Sequence, residues 1–142
     1  MQIEGAKILQ NRNKIKLLPF GEKMPFEWIY KVFQERIAKE GGSPIGFGRD
    51  KKARVFQLDK PYDPLLGVLI FFESVFPDVN CEMTRNGAQC LIIITNDDWW
   101  RDSPGYRQHF AYARLRAIEN RRSIARSANT GISGFIDEYG RI

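Results

Sequence analysis

Two cysteines, one histidine and three methionines are all the sulfur and imidazole that 142 residues contain. Cys81 and Cys90 stand nine positions apart, with no Cys or His near them at zinc-ligand spacing, so neither a metal nor a cofactor is expected. Cys90 opens the apolar stretch Leu91 to Ile94, and both cysteines read as small structural hydrophobes. Long hydrophobic runs are missing too. The longest, Leu65 to Phe72 with Gly67 inside it, has eight residues, against the roughly 18 that cross a bilayer. Met1 to Lys7 shows no basic stretch followed by an apolar one, so no secretory signal is read there. There are no internal repeats and no low-complexity linkers.

What is present fits one globular domain. The chain is 43% apolar, with 22 Lys plus Arg against 17 Asp plus Glu. A chain of this size buries roughly two-thirds of its unfolded surface, enough for a core without cross-links. The charge excess is concentrated. Residues 101–126 hold seven Arg and no Lys, and with Asp102 and Glu119 they carry the entire net charge of +5. Such a segment invites a nucleic-acid or anionic-lipid partner, but its helical phase argues otherwise. At about 100° per residue, Arg107, Arg114 and Arg121 fall on one stripe between two apolar ones. Arginines so placed are expected to face protein and to need carboxylate or carbonyl partners. Gln108, His109, Tyr112, Arg116, Glu119 and Asn120 are expected on the solvated side, and His109 has no evident Ser or Asp relay.

Along the chain, Lys14 to Pro25 reads as a short strand entering a structured loop, and Phe26 to Ala38 carries apolar residues at helical spacing. Residues 41–52 form a loop, Arg54 to Leu58 a strand, and Lys60 to Pro64 a turn. Gly67 to Ser74 is expected as a buried strand, followed by a helix from Pro77 to about Asn86 and a second buried strand, Leu91 to Thr95. Strand, helix, strand implies a parallel pair. A loop rich in Asp and Trp follows, then the arginine helix from Tyr106 to Arg121, and short strands at Ile124 to Ser127 and Ile132 to Asp137. The class is therefore α/β. Polar residues gather where its strands end, at Glu73, Ser74, Asn96 and Asp97, which is where sites form in such sheets.

Five segments in this order are similar to the carbon-nitrogen hydrolase (nitrilase) superfamily, and within it to the catalytic domain of the apolipoprotein N-acyltransferases. They are Lys14 to Glu22 (KIKLLPFGE), Gly67 to Pro77 (GVLIFFESVFP), Arg85 to Ala88 (RNGA), Ile94 to Trp100 (ITNDDWW), and Gln108 through Glu119 to Ser133. The resemblance implies an α-β-β-α sandwich, of which residues 1–142 would be the C-terminal part of one domain, incomplete at its N-terminus. It also implies a Glu-Lys-Cys triad that carries an acyl group as a thioester. A thiolate attacks, a carboxylate serves as its base, and a lysine ammonium stabilises the oxyanion. The implied acyl donor is a phospholipid and the acceptor the N-terminal cysteine amine of a lipoprotein, at the periplasmic side of the inner membrane.

Residue by residue, the family lysine falls on Lys14, the Pro-Phe-Gly-Glu glutamate on Glu22, and the glutamate after the nucleophile on Glu73. The nucleophile falls on Phe71, where the family has Cys. Phenylalanine has no proton to lose and no lone pair, so covalent catalysis there is impossible. The family's general-base glutamate lies well upstream of the lysine, and only thirteen residues precede Lys14 here. Asp98 and Arg101 stand where the family has glycines, and Arg12 where it usually has an aromatic. Without a family, Lys14 would be a solvated strand edge. Glu73 would be a carboxylate paired with an arginine of the helix stripe. Trp99 and Trp100 either line an acyl-chain pocket or cap the core. Three functions follow as expectations: a degenerate acyltransferase or amidase relative, a non-catalytic lipid- or partner-binding module, and a basic nucleic-acid binder. Uncovered sheet edges would favour self-association.

Overall fold

The structure, a computed structural model, describes residues 2–4, 7–17, 49–58, 64–101 and 103–142. The expected helix at 26–38, the loop at 41–48, the turn at 60–63 and Glu22 lie outside the described residues. Strands β1 (Gln2–Glu4) and β2 (Lys7–Gln10) pair as an antiparallel ribbon. A five-stranded sheet follows, in the order β3 (Val55–Gln57), β4 (Leu65–Ile70), β5 (Cys90–Thr95), β6 (Ile124–Ala128) and β7 (Gly134–Ile136). The three central strands run parallel, with Leu66 opposite Cys90 and Leu91 opposite Ile124; β3 and β7 close the two edges antiparallel. The Gln10 side chain joins ribbon to sheet. Its amide donates to the Gln57 carbonyl at 2.7 Å and its oxygen accepts the Gln57 N–H at 3.0 Å.

Helix α1 (Pro77–Arg85) connects β4 to β5, with proline at its first turn, where no N–H is needed. Helix α2 (Gly105–Asn120) connects β5 to β6. Alternation along each strand sends Leu69, Leu91, Ile93, Ile124 and Ile136 into one core with Val79 and Met83 of α1 and Phe110, Ala113 and Ala117 of α2. Space above β4 is so tight that a Cβ on Gly67 would stand 2.7 Å from the Leu91 side chain of β5 and 3.1 Å from the Met83 Cβ of α1. The opposite sheet face is more open, with Ile94 53% and Phe135 81% exposed.

Two strand expectations shift. The buried strand ends at Ile70 rather than Ser74, and Phe71–Val75 forms a 3-10 turn. Lys14 lies in an irregular segment after β2, not in a strand. In both places the backbone is held by a side chain, a type of bond that residue periodicity does not register.

The helix faces also differ from the wheel. His109, Arg116 and Asn120 are buried, whereas Leu115 and Ile118 are about half exposed. Arg107 and Arg121 are exposed, and Arg114, also exposed, donates through Nε to the Gly140 carbonyl at 2.8 Å. Residues 109, 113, 116 and 120 form a single i, i+4, i+7, i+11 stripe, so α2 buries a face on which His109 and Asn120 are hydrogen-bonded and Arg116 is ion-paired with Glu119 at 3.2 Å, and leaves apolar residues outside.

Arg101 has φ 44° and ψ −132°, a conformation in which only glycine is unstrained. It is exposed and its backbone N–H bonds the Asp98 carbonyl at 3.0 Å. Arg101→Gly is expected to stabilise the fold by about 1 kcal/mol, a rise of about 3 °C in melting temperature; thermal unfolding monitored by circular dichroism measures it.

Candidate active site

The end of β4 is organised by one carboxylate. Glu73 is fully buried in the 3-10 turn. Its Oε2 accepts from Arg12 Nη2 at 2.8 Å and from the Ile70 N–H at 2.9 Å. Its Oε1 accepts the Ile15 N–H at 2.5 Å and the Lys16 N–H at 3.3 Å. A carboxylate costs several kcal/mol to bury unless charge and hydrogen bonds compensate it, and four donors do so here. The arginine expected on the α2 stripe is in fact Arg12, from the segment after β2, so the ion pair closes a long loop instead of pinning a helix.

Glu73 thereby fixes the backbone just after Lys14, the Arg12 side chain before it, and the backbone of the residue before Phe71. Lys14 is buried, and its Nζ lies 5.2 Å from the centroid of the Phe71 ring. The sequence-expected lysine and the nucleophile position thus meet, through a cation-π contact. Lys16 turns outward to pair with Asp78 at 2.7 Å. Glu22 lies outside the described residues. Phe71 has φ 51°, the left-handed region that a non-glycine residue enters at a cost of about 1–3 kcal/mol. Strand, positive-φ residue, then 3-10 turn and helix place the side chain of residue 71 at the sharp bend beyond the strand.

A second polar cluster was not foreseen. His109 is 1% exposed, not solvated, and it has partners on both ring nitrogens: Asp97 Oδ1 at 2.8 Å from Nδ1 and Ser74 Oγ at 3.0 Å from Nε2. Asp97 also accepts from Thr95 Oγ1 at 3.0 Å and from Arg126 Nη2 at 2.6 Å. Burial pushes the His109 pKa down, and Asp97 opposes this only in part because Arg126 adds its own positive charge. Ser74 has a single hydroxyl proton and donates it to the Phe71 carbonyl at 3.1 Å, so its oxygen accepts from the ring at Nε2. This has the connectivity of a Ser-His-Asp relay, but Ser74 is fully buried, so its oxygen does not face a substrate. The signal available in sequence was the 109, 113, 116, 120 stripe, together with Asp97 just past a strand.

The remaining site expectations resolve simply. Trp99 is 60% exposed. Trp100 packs its ring where a Cβ on Gly105 would stand, and with Phe72, Val75, Gln108, His109 and Tyr112 it lines a cavity of about 210 Å³. Both cysteines are half-buried rather than fully buried; Cys81 is in α1, and burial raises the Cys90 thiol above its ordinary value, which disfavours the thiolate.

The fold and this strand-end arrangement define an α/β, nitrilase-like protein. The family model described as carbon-nitrogen hydrolase matches residues 3–142, and the chain belongs to that family. It is 39% identical over 140 residues to the apolipoprotein N-acyltransferase of Thermotoga maritima, matching 99% of this chain and 26% of that one. It is 41% identical over 141 residues to the apolipoprotein N-acyltransferase of Agrobacterium fabrum, matching 96% of this chain and 25% of that one. The chain thus spans about a quarter of the length of these curated relatives. Among solved structures, an amidase from Nesterenkonia sp. AN1 superposes with a TM-score of 0.55 at 18% identity, over 68% of this chain and 38% of the amidase. A nitrilase-superfamily member from Saccharomyces cerevisiae gives 0.54 at 20%, over 68% and 37%. These two likenesses show the fold alone.

Two outcomes follow from the site. Glu73→Gln leaves the buried Arg12 guanidinium without its counter-charge and presents an amide N–H₂ to donors, so it is expected to cost about 3–5 kcal/mol in denaturant unfolding. His109 is the only histidine, and its folded pKa lies below the ordinary 6.5. The unfolded chain therefore takes up the proton first, and stability falls as pH drops below 6.5, by at most about 1.4 kcal/mol per pH unit. Urea unfolding between about pH 7 and 5 should show this slope, and His109→Gln should remove it.

Proposed function

We propose that this chain corresponds to the C-terminal part of an apolipoprotein N-acyltransferase-type domain and that, as written, it does not transfer acyl groups. The observation that supports this reading is the Lys14 ammonium beside the ring of Phe71, the residue onto which the family resemblance maps the nucleophile. The relatives' name points to acyl transfer onto lipoproteins, and the Nesterenkonia amidase is described as carrying its covalent adduct on an active-site cysteine. A phenyl ring at that place has no lone pair with which to displace an ester or amide leaving group, and no sulfur to hold a thioester. Lys14 and Glu73 would occupy the positions of the family's oxyanion-stabilising lysine and of the glutamate that follows the nucleophile; Glu22 would be the loop carboxylate.

In this reading the ancestral donor is a phospholipid and the acceptor a lipoprotein N-terminus at the outer face of the inner membrane. Among the described residues no helix is long and apolar enough to cross a membrane. The second reading is a non-catalytic module that keeps a pocket and binds lipid or lipopeptide. The apolar-rimmed cavity next to Phe72 and His109 favours it.

The test supplies the region upstream of the matched segment from the Thermotoga maritima relative and compares Phe71 with Phe71→Cys, using a radiolabelled phospholipid and a diacylated lipopeptide. The expected result is no transfer with Phe71 and a hydroxylamine-labile acyl adduct with cysteine. Transfer by the Phe71 form contradicts the proposal. If the cysteine form reacts only with soluble amides, the lineage is the amidase branch instead. Saturable binding of phospholipid vesicles by the unaltered chain supports the second reading.

A further inference from the structure

Residue 71 is held from two directions, and only one of them is the Glu73 carboxylate. On the other side, buried polar groups run from β6 to the turn. Arg126 Nη2 donates to Asp97 Oδ2 at 2.6 Å, Asp97 Oδ1 meets His109 Nδ1 at 2.8 Å, and His109 Nε2 meets Ser74 Oγ at 3.0 Å. Ser74 Oγ in turn lies 3.1 Å from the carbonyl oxygen of Phe71. Arg126 is itself fixed, its Nε donating to the Ile132 carbonyl at 3.0 Å. Asp97 is further restrained by Gly131 (φ 98°), where a Cβ would stand 2.6 Å from Oδ2.

Burying such a set is costly unless its members satisfy one another. Apolar side chains would serve the core as well. The chain of bonds ends on the carbonyl of Phe71, a residue held in the left-handed region. Phe71 carries no side-chain polar group that could offset its left-handed backbone. The edge of its ring packs against His109, with centroids 5.8 Å apart.

We propose that His109, acting through Ser74 and backed by Asp97 and Arg126, is the positioning residue that holds residue 71 in its left-handed turn. The grip is mechanical. The imidazole donates Nε2–H to the hydroxyl oxygen of Ser74, and the Ser74 proton is donated to the Phe71 carbonyl, while the ring of residue 71 lies beside Lys14. This goes beyond acyl transfer, because the turn is held in the same way whether residue 71 is an inert ring or a nucleophile.

Amide hydrogen exchange tests it, read at Ile70 and Phe76, whose N–H groups bond Glu73 Oε2 and the Glu73 carbonyl, with Leu91, bonded to the Ser123 carbonyl, as the distant reference. In Ser74→Ala the two turn amides should exchange about tenfold faster or more while Leu91 changes little, and Ser74→Thr, which keeps the hydroxyl, should recover most of the protection. The same substitution in a Phe71→Gly background, where the left-handed conformation costs nothing, should accelerate the turn amides several-fold less. Should Ser74→Ala fail to fold, His109→Gln in the two backgrounds gives the same comparison. Equal acceleration in the Phe71 and Phe71→Gly backgrounds, or uniform acceleration that includes Leu91, overturns the proposal. Long-range nitrogen-15 spectra provide a second check: His109 should carry a proton on Nε2, and a bare Nε2, which would draw the single Ser74 proton away from the Phe71 carbonyl, contradicts the bond order described.

Discussion

A single buried carboxylate decides where everything at the strand end sits. Glu73 has no access to water, and each of its oxygens is engaged by two donors drawn from both sides of a long stretch of chain. Hydrogen bonds to a charged group contribute about 1.5–3 kcal/mol each, and here they offset a desolvation cost of similar size. The net stabilisation is therefore modest. The bond geometry is nonetheless specific: the segment containing Lys14 has one register against the turn containing Phe71 in which all four donors are satisfied. That register sets the lysine ammonium above residue 71.

The relay through Asp97 and His109 complements this arrangement. Glu73 holds the amide before residue 71, and Ser74 holds the carbonyl after it. Together they over-determine a peptide that would otherwise relax out of the left-handed region. The turn around residue 71 is thus set by its neighbours, and the side chain it presents is a phenyl ring. A backbone held by buried ions and packed strands does not depend on which side chain projects from it.

Much of the fold was legible in the sequence because it rests on periodicity. Leu65 to Ile70 and Cys90 to Thr95 are continuous apolar runs, a helix fits between them, and the parallel pair follows. The α/β class and the family were readable for the same reason, since motifs in order survive without knowledge of contacts. The candidate site was half legible. Lys14, Phe71 and Glu73 do converge, but Arg12 was passed over because ion pairing across 61 residues leaves no local pattern. His109 was misplaced because a helical wheel sorts residues by polarity, whereas burial here follows hydrogen-bond partners. A polar residue with two partners goes inside, and Leu115 or Ile118 stays out.

The clip at Glu73 makes a demand on solution behaviour that a measurement can meet or refuse. The amides of Ile15 and Ile70, distant in sequence, both donate to this one carboxylate, so native-state hydrogen exchange should show them opening together, with matching free energies close to that of global unfolding. If Ile15 exchanges freely while Ile70 stays protected, the segment carrying Lys14 is not fastened to the end of β4, and the site as described does not exist in solution.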